Sequence, residues 1–396
     1  MVTMILVLEL PALAVWVRLL WVGIRHLLTQ RGALLNAATA PATAESAVLP
    51  MVSILVPARN EERSLRECLS SLLALDYPRY EVIFVNDHSA DRTGEIARDL
   101  GSGRRLRYMD APELPAGWAG KNWALHNAAL VAKGDLLLMT DADICHHPLS
   151  LRRAVEALQA RRVDIVSLLP QVICRSFWER VMMPIFGMLV TTRAPIYASN
   201  DPSRSTVIVA GGFILIRRDV YEAVGGHEAI RGEIVEDLSL GALVKSRGYR
   251  LWTTGTEDLI WTRMYYGLSG VWSGLSKNFY AHFQYSPARV AAALALLTAV
   301  GLVPPASLAS FLTPASGGPA RTIAVVLVLM MYAGAVGTTR KMHIPLYASV
   351  AFPAGCLLYM LIGLNSFRHA YTGGPAWKGR RYGTIGPRSR AACPER

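Results

Sequence analysis

The middle of the chain alternates two kinds of apolar pattern. Short runs at Ser53–Val56, Glu81–Val85, Leu106–Met109, Leu136–Thr140 and Asp164–Leu168 have the length and dryness of buried strands. Between them, Ser64–Leu75 sets apolar residues at 65, 68, 69, 72 and 73, the spacing of an amphipathic helix. Asp91–Leu100, Asn122–Ala132 and Ser150–Ala160 read as helices too. Strands alternating with helices predict an α/β domain with a mostly parallel central sheet covered on both faces.

The two ends are patterned differently. Met4–Gly23 is mostly apolar, broken by Glu9, Pro11 and Arg18. Arg25 and Arg31 follow that stretch rather than precede it, so an uncleaved anchor ending in the cytoplasm is expected instead of a signal peptide. Three further apolar stretches lie at Val290–Leu312, Thr322–Gly337 and Ile344–Phe367, the second of them short for a bilayer core. The expected organisation is an N-terminal transmembrane anchor at residues 1–24, a linker at 25–49 that includes the low-complexity run Ala37–Ala47, and an α/β domain at 50–285. A membrane region of two or three helices at 286–367 and a basic tail at 368–396 complete it. If all four apolar segments crossed, the tail would lie outside. Its Arg368, Lys378, Arg380, Arg381, Arg388, Arg390 and Arg396 against the single acid Glu395 call for the cytoplasm. Pro304-Pro305 interrupts the first C-terminal stretch, which is expected to lie in the interface or re-enter.

Composition sharpens this picture. Of 396 residues, 52% are hydrophobic and 18% charged, and the net charge is +12. Many of the basic residues flank the apolar segments, so attraction to anionic headgroups accounts for the charge, and no nucleic-acid partner is expected. Cys68, Cys145, Cys174, Cys356 and Cys393 are scattered without a CxxC pair, which reads as ordinary buried or reduced thiols and argues against a disulfide framework and a zinc site.

Candidate chemistry falls just past strand ends. Pro57-Ala58-Arg59-Asn60-Glu61-Glu62 follows the first strand, Asn86-Asp87-His88-Ser89-Ala90-Asp91 the second, and Asp141-Ala142-Asp143 the fourth. These positions gather at the carboxyl edge of the sheet, where open α/β sheets bind ligands. Two close carboxylates repel unless a cation lies between them, and oxygen ligands suit Mg²⁺ or Mn²⁺. Asp87 can accept hydrogen bonds from a nucleobase or ribose, or cap a helix. Glu236-Asp237, just before Leu238-Ser239-Leu240, suits a helix cap or an acid–base role. Arg263 is either an anion contact, its planar fork suiting phosphate oxygens, or an Arg lying along a membrane-facing surface. His146 and His147 adjoin the aspartate pair as a third metal ligand or, with Pro148 following, as surface or capping residues. Gly211-Gly212 and Gly225-Gly226 permit close backbone approach at an acceptor opening or at plain turns. Trp252, Trp261, Tyr265, Tyr266 and Trp272 suit a membrane interface, a sugar platform or the core.

In that order, Pro57-Ala58-Arg59-Asn60-Glu61, Asn86-Asp87-His88-Ser89-Ala90-Asp91 and Asp141-Ala142-Asp143 resemble a family 2 glycosyltransferase of GT-A fold over about residues 50–280. Gly117-Trp118-Ala119-Gly120-Lys121-Asn122-Trp123-Ala124 is similar to a segment of lipid-glycosylating membrane enzymes of the hopene-associated and carotenoid types. Trp377-Lys378-Gly379-Arg380 looks like the tail of that subgroup. The resemblance implies that Ala58, Asn60, Glu61 and Asp87 hold the nucleotide, and that Asp143 with Asp141 binds a divalent metal. It makes Asp237, paired with Glu236, the general base and sets Lys121 beside the donor phosphates. It implies an inverting transfer of one sugar from a nucleotide sugar, expected as a UDP-sugar, to a lipid acceptor at the cytoplasmic face of the cell membrane. The Gln-x-x-Arg-Trp motif of processive polysaccharide synthases is absent. Besides a processive synthase, the competing expectations are nucleotidyl transfer and a non-catalytic membrane scaffold with a degenerate fold.

Overall fold

The computed structural model describes residues 2–30, 34–38, 49–101, 105–312, 318–372, 376–377 and 380–381. Most of the linker and most of the basic tail, with Lys378 and Gly379, therefore lie outside the described residues. The chain opens with helix α1 (Val2–Gln30). An alternating series follows: β1 (Val52–Ala58), α2 (Leu65–Leu73), β2 (Tyr80–Asn86), α3 (Thr93–Gly101), β3 (Leu106–Asp110), α4 (Gly120–Val131), β4 (Leu136–Met139), β5 (Ile144–His146), α5 (Ser150–Arg161) and β6 (Ile165–Leu169). After β7 (Gln171–Val172), α6 (Phe177–Arg193) and α7 (Ile196–Ser199) come β8 (Ile214–Arg217), α8 (Arg218–Ala223), α9 (Glu236–Ser246), β9 (Leu251–Gly255) and β10 (Ile260–Thr262). Every strand and helix expected up to residue 169 is present, with ends displaced by a few residues.

Contacts divide the chain into two compact units. One comprises residues 26–173 and 194–264. Its seven-stranded sheet runs β3-β2-β1-β4-β8-β6-β9. The neighbours β3, β2, β1 and β4 are parallel, as are β6 and β9, while β8 is antiparallel to both β4 and β6. The antiparallel strand was not expected. Its run Ile214-Leu215-Ile216 is apolar on both faces and carries no sign of direction. All seven residues of β1 are buried, because helices cover both faces of the sheet and the strand needs no polar side. Leu65, Cys68, Leu69 and Leu72 of α2 pack on one face, and Ala124, Leu125 and Ala128 of α4 on the other. A smaller sheet, β5-β10-β7, lies beside the aspartate motif, with Thr262 paired to Ile144. Trp252 is a core residue of β9 with the Arg161 guanidinium 4.0 Å above its ring, not an interfacial side chain.

The other unit comprises residues 1–25, 174–193 and 265–396. Trp16 of α1 meets Phe352 at 6.4 Å between ring centroids. The backbone N–H of Tyr280 donates to Ser366 at 3.0 Å. Among the described residues, three helical stretches are long and apolar enough to cross a membrane: Phe177–Ser199, Pro287–Leu312 and Gly318–Lys341. The second and third correspond to expected segments. The first escaped notice because Glu179 and Arg180 sit in its first turn. The N-terminal helix α1 carries Glu9, Pro11 and Arg18 within its apolar run. The fourth expected segment is broken into Tyr347–Val350 and Phe352–Tyr371, the latter with Pro353 in its first turn, where a missing N–H does no harm.

Gly134 lies two residues before the strand that leads to the aspartate motif. Its N–H and that of Lys133 both donate to Ser53 Oγ, at 2.8 and 3.0 Å. A Cβ at Gly134 would press on the Ser53 backbone nitrogen and come within 2.7 Å of the Leu136 carbonyl oxygen. Backbone cannot yield as a side-chain tip can. Gly134→Ala is expected to destabilise this unit by at least about 2 kcal/mol, read as a fall of about 5 °C in the calorimetric midpoint; an unchanged midpoint would contradict this packing.

Candidate active site

The carboxyl ends of β1, β2 and β4 carry three loops. Asp87 N–H donates to the Ala58 carbonyl at 2.8 Å, continuing the β1–β2 ladder one step past the sheet. The Arg59 guanidinium donates to the Asp87 carbonyl at 2.7 Å. Asn60 N–H donates to Ser89 Oγ at 3.0 Å, and Asn60 Oδ1 accepts from Ala90 N–H at 2.8 Å. Glu61 N–H donates to Thr93 Oγ1 at 2.7 Å. Asn60 and His88 both hold φ near +50°, a left-handed conformation that Asn and His tolerate better than most residues. The two loops therefore brace each other around Ala58, Asn60, Glu61 and Asp87. Asp87 is 5% exposed.

At the end of β4, Asp141 and Asp143 face different partners. Asp141 Oδ1 lies 2.5 Å from the Lys121 ammonium. Asp143 Oδ2 accepts from Thr262 Oγ1 at 3.3 Å, on the strand that ends just before Arg263. Lys121, in the first turn of α4, also pairs with Glu236 Oε1. Burial opposes its charge, but the carboxylates of Asp141, Glu236 and Asp237 outweigh that and raise its pKa well above the ordinary lysine range. Next door, Asp237 Oδ2 accepts from Gly211 N–H at 2.8 Å, and Oδ1 from Leu238 N–H at 2.7 Å. Burial first, and the Glu236 charge second, push the Asp237 carboxyl well above the usual range; Lys121 and the two backbone donors pull the other way.

Gly211 explains how these groups come so close. A Cβ there would stand 2.9 Å from the Lys121 ammonium and 3.4 Å from carboxylate oxygens of both Asp141 and Asp237. The first glycine pair is thus a close-approach point at the centre of the cluster, not a plain turn. Pro57, Lys121, Asp141, Gly211, Glu236 and Asp237 line one pocket. The structure brings together Lys121, Asp141, Glu236 and Asp237 of the expected residues. Ala58, Asn60, Glu61 and Asp87 form the neighbouring loop pair, and Arg263 follows the strand beside Asp143.

His146 is neither a surface nor a capping residue. It is 2% exposed, with Nε2 3.0 Å from Thr140 Oγ1, and burial lowers its pKa to about 3. His147 does cap, its Nδ1 accepting from Leu149 N–H at 3.2 Å. Among the described residues no group of three or more His, Cys, Asp or Glu is arranged to hold a metal ion. Two carboxylates at a strand end nonetheless fit Mg²⁺ or Mn²⁺ that takes its remaining ligands from water and phosphate.

Sequence inspection missed two residues. Asn122 is fully buried, and its Nδ2 lies 2.8, 3.2 and 3.1 Å from the carbonyls of Ile230, Arg231 and Glu233. It straps the start of α4 to the loop that delivers Glu236-Asp237. His227, 1% exposed, lines the same pocket as Lys121 and Asp237.

Residues 53–225 match the family described as Glycosyl transferase family 2. The chain carries a family 2 glycosyltransferase domain of GT-A fold, and it is an enzyme of the glycosyltransferase class. It is 25% identical over 346 residues to 4,4'-diaponeurosporenoate glycosyltransferase of Staphylococcus aureus strain MRSA252, covering 84% of this chain and 88% of the relative. To the protein of the same name in strain USA300 it is 27% identical over 236 residues, 57% of this chain and 60% of the relative. Among solved structures it is similar to the mannosyltransferase PcManGT from Pyrobaculum calidifontis in complex with GDP-Man and Mn²⁺. That likeness has a TM-score of 0.48 and 18% identity, over 91% of this chain and 96% of the other.

Lys121 is the ammonium that offsets the carboxylates around Asp237. In Lys121→Met the Asp237 carboxyl is expected to titrate at still higher pH, because the removed charge is one that lowers its pKa. Carboxyl-carbon NMR on protein with ¹³C-labelled aspartate reads this directly, and a downward or absent shift would contradict it.

Proposed function

We propose that this glycosyltransferase moves one sugar from a nucleotide-diphosphate sugar, a UDP-sugar, to a membrane lipid at the cytoplasmic face of the cell membrane, with inversion. The observation that carries the proposal is the convergence of Lys121, Asp141, Glu236 and Asp237 on one pocket, next to the paired loops of Asn60 and Asp87. The lipid acceptor and the multi-pass membrane location draw support from the three apolar helical stretches and from the relatives' name, which specifies transfer to diaponeurosporenoate.

In the proposed reaction the acceptor oxygen forms a bond to the anomeric carbon while the bond from that carbon to the diphosphate oxygen breaks. Asp237 takes the acceptor proton from the face opposite the leaving group, so a single displacement inverts the centre. Two backbone N–H groups, from Gly211 and Leu238, fix the rotation of that carboxylate before substrate arrives. A raised pKa makes Asp237 a stronger base than an ordinary aspartate, which suits an alcohol acceptor. A carboxylic acid acceptor, the type that the relatives' name implies, arrives already ionised and asks less of it. Asp143, with Asp141, would hold a Mg²⁺ or Mn²⁺ ion, which as a Lewis acid offsets charge on the diphosphate. Lys121 and Arg263 supply further positive charge, the latter in a planar fork suited to phosphate oxygens. Ala58, Asn60, Glu61 and Asp87 hold the nucleoside.

The purified chain, incubated with a panel of nucleotide sugars and a total lipid extract, is expected to yield a new glycolipid by mass spectrometry. With an alcohol acceptor, Asp237→Asn is expected to lower kcat/KM about a thousandfold. In the wild type kcat/KM rises with pH as Asp237 ionises, and that limb lies above the ordinary aspartate range because the pKa is raised. Chelation is expected to stop turnover and added Mn²⁺ to restore it. Sugar transfer that persists undiminished in Asp237→Asn would sink the assignment of the base.

A further inference from the structure

The second glycine pair, and the residue after it, take no part in the reaction outlined above. Gly226 has φ +50°, and a Cβ there would fall 2.5 Å from Cζ of Tyr221. A residue with a side chain would drive the phenol away. With glycine in place, the Tyr221 hydroxyl accepts from the backbone N–H of His227 at 3.1 Å and lies 2.9 Å from His227 Nδ1. The hydroxyl has one proton, and among the described residues Nδ1 is the acceptor within its reach. Nδ1 therefore accepts, and the imidazole proton sits on Nε2. Both side chains are buried, Tyr221 at 6% exposure and His227 at 1%. Burial first, then the charges of Lys121 and His126, lower the His227 pKa to about 3, so the ring is neutral in this tautomer at physiological pH.

His227 shares the pocket with Lys121, Asp141, Gly211, Glu236 and Asp237. With Nδ1 taken by Tyr221, Nε2–H is the one polar group of the ring left to donate, and no residue among those described accepts from it. Three carboxylates, an ammonium and an N–H donor line this pocket and match hydroxyl groups, which both give and accept hydrogen bonds. We propose that His227 is a donor-sugar contact whose Nε2–H donates to a hydroxyl of the transferred sugar, with Tyr221 the positioning residue that fixes its tautomer. The assignment rests on the glycosyl-transfer reading above and adds to it the group that recognises the sugar.

The test compares affinity for a nucleotide sugar with affinity for the bare nucleotide. Calorimetry with Mn²⁺ present would use UDP and a panel of UDP-glucose, UDP-galactose, UDP-N-acetylglucosamine and UDP-glucuronate. For the UDP-sugar that the wild type binds most tightly, His227→Phe, which keeps a flat ring and removes the donor, is expected to weaken binding about tenfold and to leave UDP unchanged. His227→Gln, which restores an N–H donor, should recover part of that loss. Tyr221→Phe, a substitution that removes one oxygen, should show a smaller loss of the same selectivity. Equal weakening of UDP and UDP-sugar would mark His227 as structural and overturn the assignment, as would unchanged affinity for both. A wild type that binds no nucleotide in the panel would overturn the proposed function itself, and this assignment with it.

Discussion

One ammonium group makes the site possible. Lys121 stands between Asp141, which ends a strand, and Glu236, which starts a helix, and the charge of Asp237 reaches it as well. Without a cation these carboxylates would repel one another by several kcal/mol at the short separations and reduced dielectric of a pocket. The constraint runs both ways. The lysine is buried enough that its charge persists because the acids surround it, so the residues hold one another in place. Removing the ammonium removes a charge that lowers the Asp237 pKa.

That charge cluster requires backbone placement that side chains alone do not give. Gly211 lets the chain pass close enough for its N–H to reach Asp237 while Lys121 lies against it. Asn122, next to Lys121 in sequence, reaches the carbonyls of Ile230, Arg231 and Glu233 and thereby sets the distance from α4 to the acid pair. The Ala119 N–H adds a fourth tie, to the Arg231 carbonyl at 2.7 Å. Two segments more than a hundred residues apart are thus stitched together within a few residues of the chemistry. The position of Glu236-Asp237 is set by this strap as much as by the helix that they begin.

What the sequence disclosed follows the range over which each signal acts. Strand β4 and the aspartates after it were legible because a short apolar run followed by Asp-Ala-Asp is a local pattern. The helix α2 was legible from its apolar spacing. Lys121, Glu236 and Asp237 could be singled out through family resemblance, whereas periodicity alone left the acid pair open as a helix cap. Asn122, Tyr221 and His227 were not legible, because each acts through a partner or a pocket that the fold assembles. The direction of β8 was hidden because Ile214-Leu215-Ile216 is buried on both faces and reads the same either way. His146 was misjudged for a related reason: Pro148 suggested a surface turn, while β5 carries the ring inward to Thr140.

The charge count bears on what the site can accept. Asp141, Asp143, Glu236 and Asp237 set four carboxyl groups against the cations of Lys121 and Arg263, a formal balance of −2 when all are ionised. A diphosphate brought to this edge adds further negative charge to a region already in excess of it. Lys121 already pairs with two acids before a substrate enters. Protonation of Asp237 relieves part of the excess, and the upward displacement of its pKa is the protein's own response to that imbalance. Relief by protonation, however, disables the carboxylate as a base. The ion of the proposed reaction, held beside Asp143, would relieve the same excess and leave Asp237 ionised. The chain's own residues at this edge therefore leave an excess of negative charge that protonation of Asp237 relieves in part.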